Sequence, residues 1–131
     1  MKTILVDAVD TFVIEGQGIN AEMYNLLEAY PNRKIILTNA SDEQMQPFGL
    51  ADLPYELFTL KHKPDKIDPK YFETMLSNFN LAKDNVIYFE HNPEAVRSAQ
   101  SVGIKSYFYD SEKKDLVNLK AFIDNNLNAQ A

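Results

Sequence analysis

The sequence predicts an α/β protein: a doubly wound, three-layer, Rossmann-like parallel sheet of about five strands. Three observations predict it. Short apolar runs at residues 3–7 and 34–37 lack the polar alternation of a half-solvated strand, which is the pattern of strands buried on both faces of a parallel sheet. Between them lie segments whose apolar residues recur at helical spacing. The runs also end in polar residues, as they do where strand ends line a crevice.

Taken in order, Ile4-Leu5-Val6-Asp7 forms the first strand, and Gly16-Gln17-Gly18 between Val13-Ile14 and Ile19 reads as a hairpin turn rather than a dinucleotide fingerprint. Asn20 can cap a helix in which Met23, Leu26, Leu27 and Tyr30 share a face. Ile35-Ile36-Leu37 is the second sheet strand. Ser41-Asp42-Glu43-Gln44 is a capping-box pattern for a short helix stopped by Pro47 and Gly49. A strand near Leu57-Phe58 precedes a helix opened by Asp68-Pro69, with Phe72, Met75, Leu76 and Phe79 on one side. Val86–Phe89 is the next strand, Asn92-Pro93-Glu94 opens a helix ending near Gly103, and a strand at Ile104–Phe108 leads to a last helix carrying Leu116, Leu119, Phe122 and Ile123. One domain over residues 1–125 is expected, with a loosely held tail at 126–131.

Composition narrows the function classes. With 45% hydrophobic and 24% charged residues the 131-residue chain is that of an ordinary globular domain. It holds no run near the ~20 apolar residues of a membrane span. Asp7 and Asp10 interrupt the only early apolar run, so no signal peptide is read, and a cytoplasmic location is expected. The absence of cysteine excludes thiol catalysis and thiolate metal sites. Thirteen basic against nineteen acidic residues, a net charge of −6, argue against nucleic acid or an anionic membrane as partner.

The strand ends carry the chemistry. Asp7, Thr38, Lys66 and Glu90-His91 each follow an apolar run, so one sheet edge would gather an acid, a hydroxyl, a lysine and a second acid. Such a set suits phosphoryl transfer, which needs a nucleophile in line and positive charge around the equatorial oxygens.

In these residues the chain resembles the haloacid dehalogenase (HAD) superfamily of Asp-dependent hydrolases. Ile4-Leu5-Val6-Asp7-Ala8-Val9-Asp10-Thr11 is similar to that family's first motif, an apolar strand followed by Asp-x-Asp-x-Thr, with Val9 at the second aspartate. Thr38-Asn39 is similar to the second motif and Lys66-Ile67-Asp68-Pro69-Lys70-Tyr71-Phe72 to the third. Tyr88-Phe89-Glu90-His91-Asn92-Pro93-Glu94, with Gly103-Ile104 after it, is similar to the fourth, where two acids usually stand at Glu90 and His91. The resemblance runs from Ile4 to Phe108.

The resemblance implies a HAD-like fold and a phosphatase-type hydrolase working through an aspartyl-phosphate on Asp7. Thr38 would hydrogen-bond the phosphoryl group and Lys66 would neutralise it. Asp7, the backbone carbonyl of Val9, and Glu90 would hold Mg²⁺. Two departures weaken that site: Val9 cannot transfer a proton, a role typically contributing ~10²–10⁴-fold in rate, and His91 suits Mn²⁺ or Zn²⁺ better than Mg²⁺. Asp10 is a candidate substitute for the missing acid. Weak Mg²⁺ binding and weak or unusual turnover are therefore expected, with a catalytically inactive HAD-fold binding or regulatory module as the alternative. A receiver-like signalling domain fits less well, since its accepting aspartate follows the third strand.

Neither the 30 residues 8–37 nor the 27 residues 39–65 can hold a cap domain. An uncapped crevice implies a large phosphorylated substrate or a lid from another subunit. The apolar flap residues Phe12, Val13 and Ile14 suggest self-association or a protein partner there.

Overall fold

Strands β1 (Thr3–Asp7), β4 (Lys34–Thr38) and β6 (Val86–Glu90) are buried at every residue. Unbroken apolar runs place side chains on both faces, and only the interior of a covered sheet removes both from water. The computed structural model describes residues 1–127, and in it these three strands occupy the middle of a five-stranded parallel sheet in which β1 lies between β4 and β6, with β5 (Glu56–Thr59) beyond β4 and β7 (Lys105–Phe108) beyond β6. Its two edge strands are partly exposed. Strands β2 (Val13–Ile14) and β3 (Gly18–Ile19) form a separate antiparallel hairpin after β1, as the Gly16-Gln17-Gly18 turn predicts.

The period-2 alternation of β1 divides the interior. Ile4 and Val6 join Ile36, Ile87 and Phe89 under helices α1 (Ala21–Glu28) and α4 (Leu116–Leu127), whose Met23, Leu27, Leu119 and Ile123 are buried there. Leu5 joins Ile35, Leu37, Val86 and Tyr88 under α2 (Pro69–Phe79) and α3 (Pro93–Ser101). Each such side chain, fully buried, contributes about 1.5–3 kcal/mol. Three layers result because both faces of the sheet are apolar.

The predicted helix starts are all realised. Asn20, Asp68 and Asn92 accept from the backbone N–H groups of Met23, Lys70 and Glu94 at 3.2, 3.0 and 3.0 Å. The Ser41–Gln44 capping box is also formed, but it opens only a three-residue 3₁₀ turn, Asp42–Gln44. Gly103, at φ +92°, makes the turn into β7 under Lys83, whose side chain would meet an added Cβ at 2.7 Å.

Two expectations need adjustment. Phe12 and Val13 do not present an apolar face to a partner: both are fully buried, and the Phe12 ring packs against Tyr24 and Tyr55 at 6.3 and 5.5 Å. A tight turn after β1, in which Phe12 N–H donates to Ala8, folds the start of the flap back into the core. Helix α4 also runs two residues into the expected tail, where Lys2 Nζ donates to the carbonyl of Asn126 at 2.8 Å. Residues 128–131 lie outside the described ones. No helix among the described residues is long and apolar enough to cross a membrane.

Candidate active site

Strand order reverses at β1: the chain moves outward through β4 and β5 on one side, then through β6 and β7 on the other. At such a switch point the carboxyl ends of the strands open a crevice. The crevice here holds a pocket of about 150 Å³ lined by Asp7, Val9, Thr38, Asn39, Lys66, Glu90 and His91, with Gln44, Phe48 and His62 on its rim side.

Register explains the pairing at its floor. Leu5 is opposite Tyr88 and Val6 opposite Phe89, so one step on, Asp7 and Glu90 end adjacent strands on the same face of the sheet. That face is covered by α2, and Lys66 lies just before it. Asn39 Oδ1 accepts from the Lys66 backbone N–H at 2.8 Å and fixes that segment. The Lys66 ammonium then bridges Asp7 Oδ1 and Glu90 Oε1 at 2.7 and 2.8 Å and donates to the Leu37 carbonyl at 3.1 Å. All three side chains are buried.

The other oxygen of Asp7 is equally engaged. Thr11, brought back by the turn after β1, donates its hydroxyl to Oδ2 at 2.7 Å. The His91 backbone N–H reaches the same oxygen at 3.3 Å, and His91 Nδ1 makes a close hydrogen bond to it. Glu90 Oε2 accepts from Asn92 N–H at 3.1 Å and lies 3.3 Å from His91 Nδ1, while the Tyr88 hydroxyl donates closely to Oε1.

These contacts set the charges. Burial by itself would raise the Asp7 carboxyl, but Lys66 and His91 outweigh it and hold it well below the usual carboxylate range. For Lys66, burial acts downward and the two carboxylates overcome it, leaving the ammonium firmly charged. Hydrogen bonds to Asp7 and then Glu90 raise His91 to about 10 against a desolvation cost, so its ring is protonated at neutral pH. Burial, then Glu90 and Asp7, drive the Tyr88 hydroxyl up, so it stays a donor. Two carboxylates thus face two cations, which is what a buried cluster needs to avoid a large desolvation penalty.

Asp7, Lys66, Glu90 and His91 therefore converge as the strand ends predict. Thr38 lines the same pocket, with its hydroxyl oxygen accepting from Ala40 N–H at 3.2 Å. Val9 contributes an apolar wall. Asp10 stands apart: it sits in the left-handed turn conformation, φ 69°, is mostly exposed, and comes no nearer the cluster than 3.9 Å from His91 Nε2. That geometry belongs to a turn residue, for which Asp is well suited. Lys61 is exposed and paired with Asp42 at 3.1 Å.

Sequence reasoning passed over Thr11, Tyr88, Gln44, Phe48 and His62. Tyr88 was detectable, since it lies two residues before Glu90 and so on its face of the strand. Thr11 was visible only as the last position of the first motif. His62, which contacts Gln44 Oε1 at 3.0 Å, and Phe48 reach the pocket from loops whose paths no periodicity reveals.

Asp7, Glu90 and His91 offer ligand atoms within 4.8 Å of one another, the spacing of a metal cluster. The donor set does not fit Mg²⁺, which asks for an octahedron of oxygens at about 2.0–2.1 Å. An imidazole, His91, stands where the resemblance places a further metal acid, and the facing carboxylate oxygens already accept from Thr11, His91 and Asn92.

No protein-family model matches the chain, and no curated protein matches it in sequence. Solved structures do. The core domain of a Streptococcus pneumoniae protein described as a candidate phosphoglycolate phosphatase superposes with a TM-score of 0.61 at 18% identity, covering 95% of this chain and 96% of that one. A conserved haloacid dehalogenase-like protein of unknown function from Agrobacterium tumefaciens matches 68% of this chain with a TM-score of 0.54 and 18% identity. This chain has the haloacid dehalogenase fold. The UTR4 protein of Saccharomyces cerevisiae matches 70% of it, with a TM-score of 0.55 and 17% identity. The matches span only 47% of UTR4 and 44% of the Agrobacterium protein. The near-complete mutual coverage with the Streptococcus core domain accords with the absence of a cap among the described residues: between β1 and β4 lie only the hairpin and α1.

Proposed function

We propose that the crevice takes the phosphoryl end of a phosphorylated ligand and that Asp7 is its acceptor, making this a HAD-type phosphohydrolase of low turnover. The observation that carries the reading is the buried Lys66–Asp7 pair at 2.7 Å on the floor of a pocket that Thr38 and Asn39 also line. The lysine keeps Asp7 ionised and supplies positive charge where phosphoryl oxygens would lie. A carboxylate oxygen of Asp7 attacks phosphorus, and the bond to the leaving oxygen breaks with its electron pair. Water then attacks the aspartyl-phosphate at phosphorus, freeing Asp7 and inorganic phosphate while its proton passes to solvent.

Val9 leaves no carboxyl at the acid–base position of the first motif, and the Nδ1 proton of His91 is held by Asp7 itself, so the leaving oxygen departs without a proton from that position. An aryl phosphate, whose leaving group is stable as an anion, should turn over faster than an alkyl phosphate by a factor on the order of 10²–10⁴. Asp7→Asn should abolish turnover of both while unfolding stays cooperative. Equal, rapid turnover of the two substrates, or activity surviving in Asp7→Asn, rejects this reading. The small pocket and uncapped crevice suit a large substrate of which only the phosphoryl end enters.

A second reading, a non-catalytic binding module, is favoured by the full engagement of both Asp7 oxygens and by its 2% exposure. Phosphate binding by calorimetry with no turnover of either substrate would select it.

A further inference from the structure

The two carboxylates at the crevice floor have distinct sides. Asp7 Oδ1 and Glu90 Oε1 share Lys66, at 2.7 and 2.8 Å. A divalent ion bridging the two residues would have to lie against the remaining pair, Asp7 Oδ2 and Glu90 Oε2. His91 is there instead. Its Nδ1 donates to Asp7 Oδ2 and stands 3.3 Å from Glu90 Oε2.

Both oxygens also accept from other directions. Oδ2 of Asp7 also accepts from the Thr11 hydroxyl and from the His91 backbone N–H, and Oε2 of Glu90 from the Asn92 N–H. A carboxylate oxygen offers about two lone pairs. An entering ion would have to break hydrogen bonds to charged acceptors, which are about twice as strong as neutral ones. With His91 where the resemblance places a further metal acid, no third side-chain carboxylate joins Asp7 and Glu90 to repay that loss.

We propose that the His91 ring takes the place of a divalent cation in this site, so that the carboxylate pair is held by Lys66 on one side and His91 on the other without metal. The device is economical in sequence: His91 directly follows Glu90, so the strand end that delivers the acid also delivers its partner. Either form of imidazole with hydrogen on Nδ1 makes the bond. The inference rests on the site reading above but not on turnover, and its test reads metal binding and stability.

Wild-type protein is titrated with Mg²⁺, Mn²⁺ and Zn²⁺ by calorimetry, and its thermal midpoint is compared in chelator and in millimolar Mg²⁺. No binding heat at the site and an unchanged midpoint are expected. His91→Asp, which removes the ring and adds a hard ligand, should bind one Mg²⁺ and acquire a chelator-sensitive midpoint. Should that variant fail to fold, His91→Gly, which vacates the ring's volume, is read the same way with Mn²⁺. Stoichiometric metal binding by the wild type that His91→Gln abolishes would overturn the proposal, because the ring would then be a ligand. Variants that fold yet gain no metal would overturn it too, since the ring would not be standing at a metal position. Failure of phosphatase turnover leaves these readouts intact, so the two readings fail separately.

Discussion

The two sides of Asp7 differ in how the chain builds them. On the Oδ1 side stands a lysine from a distant segment, locked by Asn39 and buried with Glu90, in the arrangement the third HAD motif implies. On the Oδ2 side, where that motif set would place acids and an ion, stand valine and a half-buried histidine adjacent in sequence to Glu90. One side of Asp7 is thus met by a cation from a distant segment and the other by a donor that directly follows Glu90 in the chain. The difference teaches that a carboxylate cluster can be neutralised entirely by its own chain, and that such a cluster remains buried at tolerable cost.

The comparison breaks most readily at Lys66. Lys66→Met keeps the volume but leaves two buried carboxylates with a single cation, and removing one partner of a buried pair costs about 3–5 kcal/mol. Urea unfolding should show a loss of that size; a loss under about 1 kcal/mol would mean that the Oδ1 side is not the structural anchor. His91→Gln should cost less, about 1.5–3 kcal/mol, the range for a hydrogen bond to a charged group, because Thr11 and two backbone N–H groups still serve the outer oxygens. A His91 effect larger than that of Lys66 would invert the comparison.

A pH series sharpens it further. His91 is raised from 6.5 to about 10 on folding, so its contribution is fully present below about 6.5 and is lost as pH climbs through about 10. Wild-type stability should decline across that window, and His91→Gln should lack this decline. Asp7, being depressed, acts at the opposite end: its contribution holds above the ordinary value of 3.8 and fades as pH falls below it. The smallest expected effect is Asn92→Ala, about 1 kcal/mol from the lost N-cap of α3. Because the backbone N–H to Glu90 survives that change, any loss of phosphate binding would show that α3 positions the outer side.

Much of the molecule follows from local chemistry. Asn20, Asp68-Pro69 and Asn92-Pro93 start helices wherever they precede an apolar stripe, because a side-chain oxygen satisfies otherwise unpaired N–H groups. The runs at β1, β4 and β6 declare doubly covered strands, and period two places Glu90 with Tyr88. Asp7, Thr38, Lys66 and Glu90 were accordingly legible as one sheet edge. The Ser41 capping box showed the limit of local signals, because Pro47 and Gly49 left room for only a 3₁₀ turn.

By itself, then, the sequence determined the layers, the strand-end acids and the missing third acid, since each is written in spacing along one element. Only the tertiary structure decided which oxygen of Asp7 meets Lys66 and which meets His91, that Phe12 and Val13 turn inward, and that Phe48 and His62 reach the pocket. Those are contacts between segments up to 84 residues apart, or between loops with no periodicity to read. Their geometry is set by how the layers close over the sheet, a property of the packed whole that no single segment encodes.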